Sequence, residues 1–242
     1  MNSGFYAACA GLIARMQSLD VVAHNLANSS TPAYKAEQPT FRSLLAGSAG
    51  SSEIESAVND FGVLGGSHLD RSGGNLERTG NDLDLALEGG GFFIVQTSAG
   101  LRYTRNGRLQ LSSDRRLVTS SGDPLLNNQG TPLQLPPGTI AIAPDGSVSV
   151  DGALVGRLKV VEFGPDASLE ALGSGYFRTD AVSGPALTTE VRQGVIEASN
   201  VDPVSAAVSL VTVQRYAELL QRALSIFHSD FNRVASEDLP KV

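Results

Sequence analysis

Cysteine is almost missing from this chain. Of 242 residues only Cys9 carries a thiol, so no intramolecular disulfide can staple the fold, and Cys9 itself reads as a small buried hydrophobe. Charge is sparse as well: charged residues make up 18 %, the formal net charge is −7, and no basic cluster exceeds Arg115-Arg116. That excludes a nucleic-acid partner, which needs a basic footprint for the phosphates. No run approaches the roughly 18 apolar residues of a membrane span, so no direct membrane span is expected. The N-terminus lacks a basic segment followed by an apolar core of about 7–15 residues, so no cleavable secretory signal is expected. His24, His68 and His228 lie far apart and none sits at metal-ligand spacing. No Ser/His/Asp or Cys/His arrangement can be assigned. Catalytic, cofactor-binding and metal-binding residues are therefore all read as none, no cofactor is implied, and an enzyme is not expected.

What the chain does have is the same repeat at both ends, an apolar residue every four, then three, positions. It falls on Phe5, Cys9, Leu12, Met16, Leu19, Ala23 and Leu26, and again on Ala206, Leu210, Val213, Ala217, Leu220, Leu224, Phe227, Phe231 and Val234. The average of 3.5 residues is the spacing of coiled-coil seams. The first helix is expected to start after Ser3 as N-cap and to stop at Ser29-Ser30-Thr31-Pro32, because Pro32 cannot continue the hydrogen-bond ladder. Its other face is small: Ala7, Ala10, Gly11, Ala14 and Ser18. The last helix has Asp202 as N-cap and Pro203 at its first position, where the missing N–H costs nothing. Surface pairs Glu218–Arg222 and Arg215–Glu218 are expected along it. A second stripe, Val201, Val204, Val208 and Val211, lies beside its main seam. One partner helix cannot cover both stripes.

Between the helices the period changes. Residues 36–75 are Gly- and Ser-rich and read as a long connector with one or two strands. From 76 to 199 the pattern is short strands, at 92–95, 102–104, 108–111, 117–119, 139–143, 147–150, 156–163 and 191–198. The turn signals Asn106-Gly107, Pro137-Gly138, Asp145-Gly146 and Asp151-Gly152 separate them. No helix of ten residues fits, which excludes a parallel βαβ sheet and leaves an antiparallel domain. Gly89-Gly90-Gly91 precedes the strand Phe92-Phe93-Ile94-Val95, not a helix, so it reads as a tight connection and not a phosphate cradle. Asp82, Asp84 and Glu88 form an acidic cluster with no second catalytic group, and read as turn or strand-edge residues.

Two polar clusters exceed what helix capping needs. Asn25, Asn28, Thr31, Tyr34 and Lys35 crowd the first helix exit, and Ser199, Asn200 and Asp202 the last helix entrance. Contact between elements or subunits is the expectation there. Asn25-Leu26-Ala27-Asn28, then Thr31, Pro32, Tyr34 and Lys35, resembles the signature of the bacterial flagellar basal-body rod and hook family. The blocks Asn81-Asp82-Leu83-Asp84-Leu85-Ala86-Leu87-Glu88-Gly89-Gly90-Gly91-Phe92-Phe93 and Tyr103-Thr104-Arg105-Asn106-Gly107 are similar to its central motif. Gly194-Val195-Ile196-Glu197-Ala198-Ser199-Asn200-Val201 and Gln214-Arg215 are similar to its C-terminal motif. The resemblance runs the length of the chain in order. It departs at Leu220 and Arg222, where the family more often shows Asn and Lys. Within the family, the short 28–31 exit, the 155–159 strand and the length are most similar to proximal-rod members, with distal-rod members as the alternative.

The resemblance implies an α+β fold in which N- and C-terminal helices pair as a coiled coil around a central antiparallel β domain. It implies a discontinuous helical polymerisation domain (1–35 with 200–242), an extended connector (36–75) and a central β domain (76–199). It further implies a structural subunit of the basal-body rod that polymerises helically in the periplasm. Its partners would be copies of itself, inner proximal and distal rod proteins and the flagellar type III export apparatus. A non-flagellar self-assembling coiled-coil protein is the more distant alternative. The subunit interface is expected at Leu12, Met16, Leu19, Asn25, Leu26, Asn28, Thr31, Pro32, Tyr34, Asn200, Val201, Val204, Val208, Val211, Gln214, Arg215, Leu220, Leu224 and Phe227.

Overall fold

The computed structural model describes the backbone of residues 2–44 and 61–237, and side chains over 9–40, 67–226 and at 229. The Gly/Ser-rich part of the connector (45–60) and the side chains of Phe5, Phe227, Phe231 and Val234 lie outside the described residues. The class is α+β, with two long helices and many antiparallel strands. The chain divides into two compact units. One comprises Met1–Ala27, Glu37–His68 and Pro203–Val242; the other comprises Asn28–Ala36 and Leu69–Asp202.

The first unit holds α1 (Asn2–Ala27), the paired strands β1 (Glu37–Leu44) and β2 (Phe61–Leu69), and α2 (Pro203–Glu237). Helix α1 already includes Ser3, so this serine lies inside the first turn and not at the cap. Helix α2 begins at Pro203 directly after Asp202, where the entry signal lies. The two helices pack against each other, and the Arg15 guanidinium sits 5.6 Å from the Tyr216 ring centroid. On α2 the expected seam turns inward: Ala217 is buried and Ala206, Leu210, Val213, Leu220 and Leu224 are half-buried. On α1 the buried positions are Ala14 and Ser18, from the small-residue face, while Met16 of the 4-3 stripe is 51 % exposed. Small side chains let one helix approach another closely, so the small face takes the place expected of the apolar stripe. Glu218 accepts a hydrogen bond from Gln214 at 3.3 Å; among the described residues it pairs with neither Arg222 nor Arg215.

The second unit holds β3 (Leu76–Arg78), β4 (Leu85–Glu88), β5 (Phe92–Thr97), β6 (Gly100–Thr104), β7 (Leu109–Leu111), β8 (Leu117–Thr119), β9 (Ile140–Ile142), β10 (Ser147–Val150), β11 (Ala153–Arg157), β12 (Val160–Glu162), β13 (Glu170–Gly173), β14 (Tyr176–Arg178), β15 (Gly184–Pro185), β16 (Glu190–Gln193) and β17 (Val195–Glu197). The largest sheet has the order β13-β14-β6-β5-β12-β15. The triple glycine at 89–91 joins β4 to β5, as its sequence context implies.

Strand β5 explains why this domain needs a continuous apolar run. Phe93 and Val95 enter one core with Leu85, Leu117, Val148 and Leu158, while Phe92 and Ile94 enter a second with Leu126, Val161, Phe163 and Phe177. A strand covered on both faces has no polar side to alternate with. Phe92 meets Phe163 and Phe177 with ring centroids 5.7 and 5.6 Å apart in tilted and edge-on geometry.

Two expected single strands are broken. Residues 156–163 split between β11 and β12, because Leu158 and Lys159 donate to Gly146 and Leu126, outside either ladder. Residues 191–198 split at Gly194, whose φ of +73° lets the chain leave β4, the partner of β16, for β3, the partner of β17. A side-chain-bearing residue there would cost roughly 1–2 kcal/mol. Phe93→Ala is expected to lower the unfolding free energy by about 3–5 kcal/mol in urea titrations. Leu154→Ala, at an exposed position of β11, should change it by less than about 0.5 kcal/mol.

Candidate functional site

The polar clusters at the two helix ends resolve into two hydrogen-bonded assemblies, one in each unit. In the helical unit Asn25 closes a reciprocal pair with Glu37: its Nδ2 donates to the Glu37 carbonyl at 2.7 Å and its Oδ1 accepts from the Glu37 N–H at 2.9 Å. Ser67 donates to the Glu37 carboxylate at 3.0 Å. One asparagine thus holds the last turns of α1 to the first residue of β1. A side-chain amide can mimic a backbone pair in this way because it offers a donor and an acceptor in one plane.

In the β unit the exit from α1 is a run of turns. Thr31 donates from N to the Asn28 carbonyl at 3.0 Å and from Oγ1 to Asn28 Oδ1 at 3.2 Å, and Tyr34 N donates to the Thr31 carbonyl at 3.2 Å. Ala33 takes a left-handed φ of +56°, unusual for a residue with a Cβ, and is held there by its N–H donating to the Glu197 carbonyl at 2.8 Å. Asn200 then clamps three segments. Its Oδ1 accepts from Ala36 N at 2.7 Å, its Nδ2 donates to the carbonyls of Asp70 and Ser72, and its N–H donates to the Tyr34 carbonyl.

Beneath these bonds lie three charges with almost no solvent contact. Glu197 Oε1 accepts from Lys35 Nζ at 2.7 Å and from Gly74 N at 2.9 Å, and its Oε2 accepts from Arg105 Nε at 2.8 Å. Lys35 Nζ also donates to the Ser72 carbonyl. Arg105 spends its remaining nitrogens on the carbonyls of Gly91 and Leu87, at 2.9 and 3.0 Å. Gly74 must lack a side chain, since a Cβ would run into the Ala198 carbonyl oxygen. The cluster holds two cations and one anion. Burial pushes Lys35 below the ordinary lysine range, and the hydrogen bond and charge of Glu197 only partly offset it. Burial alone would raise the Glu197 carboxyl, but the Arg105 charge and then Lys35 outweigh it and hold it below the usual carboxylate range.

The expected interface residues divide among these environments. Asn28, Thr31, Pro32, Tyr34, Asn200 and Val201 are gathered in the β unit, half-buried. Asn25 and Leu26 sit half-buried at the end of α1, with Leu12 and Leu19 further along it. Val204, Val208 and Val211 are exposed on α2, the last two at 62 % and 49 %, as are Gln214 and Arg215. The sequence reading quoted Lys35, Arg105 and Glu197 inside motifs but did not select them. Their signal was a charged residue in each of three otherwise apolar or small-residue blocks of a charge-poor chain.

Three family models match the chain: flagella basal body rod protein over residues 5–35, the flagellar hook protein FlgE/F/G D1 domain over 86–150, and the flagellar basal body rod FlgEFG protein C-terminal over 192–235. The flagellar basal-body rod protein FlgF of Caulobacter vibrioides is 32 % identical over 250 residues, covering 100 % of both chains. The chain belongs to the flagellar basal-body rod protein family. FlgF of Mesorhizobium japonicum is 31 % identical over 90 % of each chain, and FlgG of Buchnera aphidicola (from Acyrthosiphon pisum) 30 % over 89 % of this chain and 92 % of its own. Membership gives this rod-family chain a structural role in the flagellar basal body. Each of the three matched segments contributes one member of the buried cluster: Lys35, Arg105 and Glu197.

Removing the anion leaves two buried cations facing each other. Glu197→Gln is expected to cost about 3–5 kcal/mol of stability at neutral pH by denaturant melts. Because the folded Glu197 value is depressed, its contribution is full above the ordinary glutamate range and lost as pH falls through the folded value. The stability gap between the parent and Glu197→Gln should therefore narrow between neutral pH and about pH 3.

Proposed function

We propose that this chain polymerises helically, as a proximal-rod subunit of the FlgF kind, into the drive shaft that carries torque from motor to hook. The terminal segments, 1–35 with 200–242, form the polymerising inner part, with the helices pairing as a coiled coil. The 36–75 connector and the 76–199 β domain lie outside it. The protein reaches the periplasm through the flagellar type III export apparatus without a cleavable signal. It assembles with copies of itself and with inner proximal and distal rod proteins, at the interface residues named above.

The observation that carries this reading is the apolar face of α2 that the chain itself leaves uncovered. Val208 and Val211 stand in solvent beside a seam already turned toward α1. A helix with a second apolar stripe needs a second partner, and in a rod the neighbouring subunits supply it. Full-length similarity to FlgF supports the proximal position, while FlgG relatives at 30–31 % identity keep the distal rod as the alternative.

Electron microscopy of basal bodies from cells lacking this protein tests the assignment. The rod is expected to end beyond its inner segment, and an intact rod would overturn the reading. Val208→Lys is expected to change the unfolding free energy of the isolated chain by less than about 0.5 kcal/mol. The same variant should fail to restore motility in those cells, with both measured in parallel.

A further inference from the structure

Asp84, directly before β4, is the one described residue with a buried side-chain oxygen that has no hydrogen-bond partner. The residue is 4 % exposed, and its Oδ1 meets neither a donor nor solvent. Its backbone is fully engaged: the N–H donates to the Asn81 carbonyl at 3.0 Å, the carbonyl accepts from Gly194 N at 2.8 Å, and an antiparallel bridge ties it to Arg108. The side chain is therefore held where it is.

The amide donors nearby are spent elsewhere. Leu83 N donates to Asn81 Oδ1, Leu85 N to the Gly107 carbonyl, and Thr79 N and Gly80 N to the Gly194 carbonyl. Arg108 N donates to Asn106 Oδ1. Across the bridge the Arg108 side chain shares a face with Asp84, as opposed residues of an antiparallel pair do, yet it lies exposed and makes no hydrogen bond or ion pair among the described residues. The other members of the acidic cluster behave differently: Glu88 is paired with Arg192 at 2.7 Å, and Asp82 is exposed. A buried carboxylate left without a donor is costly, and folded proteins satisfy nearly all such groups.

We propose that the Asp84 carboxylate is an acceptor for a basic side chain, arginine or lysine, delivered by a second copy of this chain. This rests on the rod-subunit reading above. Charge complementarity identifies the occupant. The chain is acidic overall at −7, yet Arg116, Arg215 and Arg222 are exposed and have no carboxylate partner among the described residues. In a packed assembly of identical acidic chains, such cations find their acceptors on neighbours. An arginine suits the site best, because its fork donates to both carboxylate oxygens at once.

Asp84→Asn separates the free chain from the assembly, since it keeps the shape and removes the charge. The isolated variant is expected to melt at the parent's temperature or above, because the free chain gives Oδ1 no partner to lose. In cells lacking the native copy, its incorporation into purified basal bodies should fall at least tenfold, while Arg108→Gln incorporates normally. A lowered melting temperature for Asp84→Asn, or an equal incorporation defect in Arg108→Gln, would assign the carboxylate to an internal pair and overturn the proposal. Undiminished incorporation of Asp84→Asn would overturn it too. A rod that is intact without any copy of this chain would instead overturn the subunit reading, so the two failures are distinguishable.

Discussion

A single buried carboxylate organises the β unit. Glu197 neutralises one of two cations brought to it from Lys35 and Arg105, residues 162 and 92 positions away in the chain. Against an apolar cluster of the same volume such an arrangement adds little net stability, because desolvation consumes most of the Coulombic gain. What it adds is a penalty on alternatives. Any fold that leaves out one of the three segments strands a charge in the interior. The lowered values of both Lys35 and Glu197 express the same fact: with two positive groups and one negative, the anion is doubly stabilised and each cation only singly.

The position of this cluster matters as much as its chemistry. The chain passes between its two units four times, and Lys35, Asp70, Ser72, Glu197 and Asn200 all lie within a few residues of those crossings. On the helical side Asn25, Glu37 and Ser67 flank the same crossings. Each unit thus ties down its own ends of the connecting segments. For a rod protein that carries torque, strands that leave a domain through fixed, hydrogen-bonded exits transmit load better than strands leaving through loose loops. The Asn-rich signature at 25–28 is divided between the two sides, Asn25 serving one unit and Asn28 the other.

The helices follow a different logic. Their mutual contact uses alanines and a serine on α1, and the larger apolar side chains Met16, Val208 and Val211 remain outside. A monomeric protein gains by burying its large residues first, through the greater area removed from water. Keeping them exposed while burying the small ones is the arrangement of an element with further partners to meet.

Much of this was legible from the sequence. Helix ends at Pro32 and Pro203, short antiparallel strands, the turn glycines and the family all follow from local chemistry and motif order, because capping, period and turn type act within a few residues. The broken strands at 158–159 and Gly194 were not legible, since a change of sheet partner depends on what lies across the ladder. Nor was the buried face of α1, where the apolar period pointed to Met16 and the packing selected Ala14 and Ser18. The sequence by itself determined which segments are helix or strand and which family the chain joins. Only the tertiary structure decided which charges meet. Lys35, Arg105 and Glu197 look like ordinary surface residues until long-range strand pairing removes water from all three at once, and Asp84 like a turn residue until every donor around it is spent.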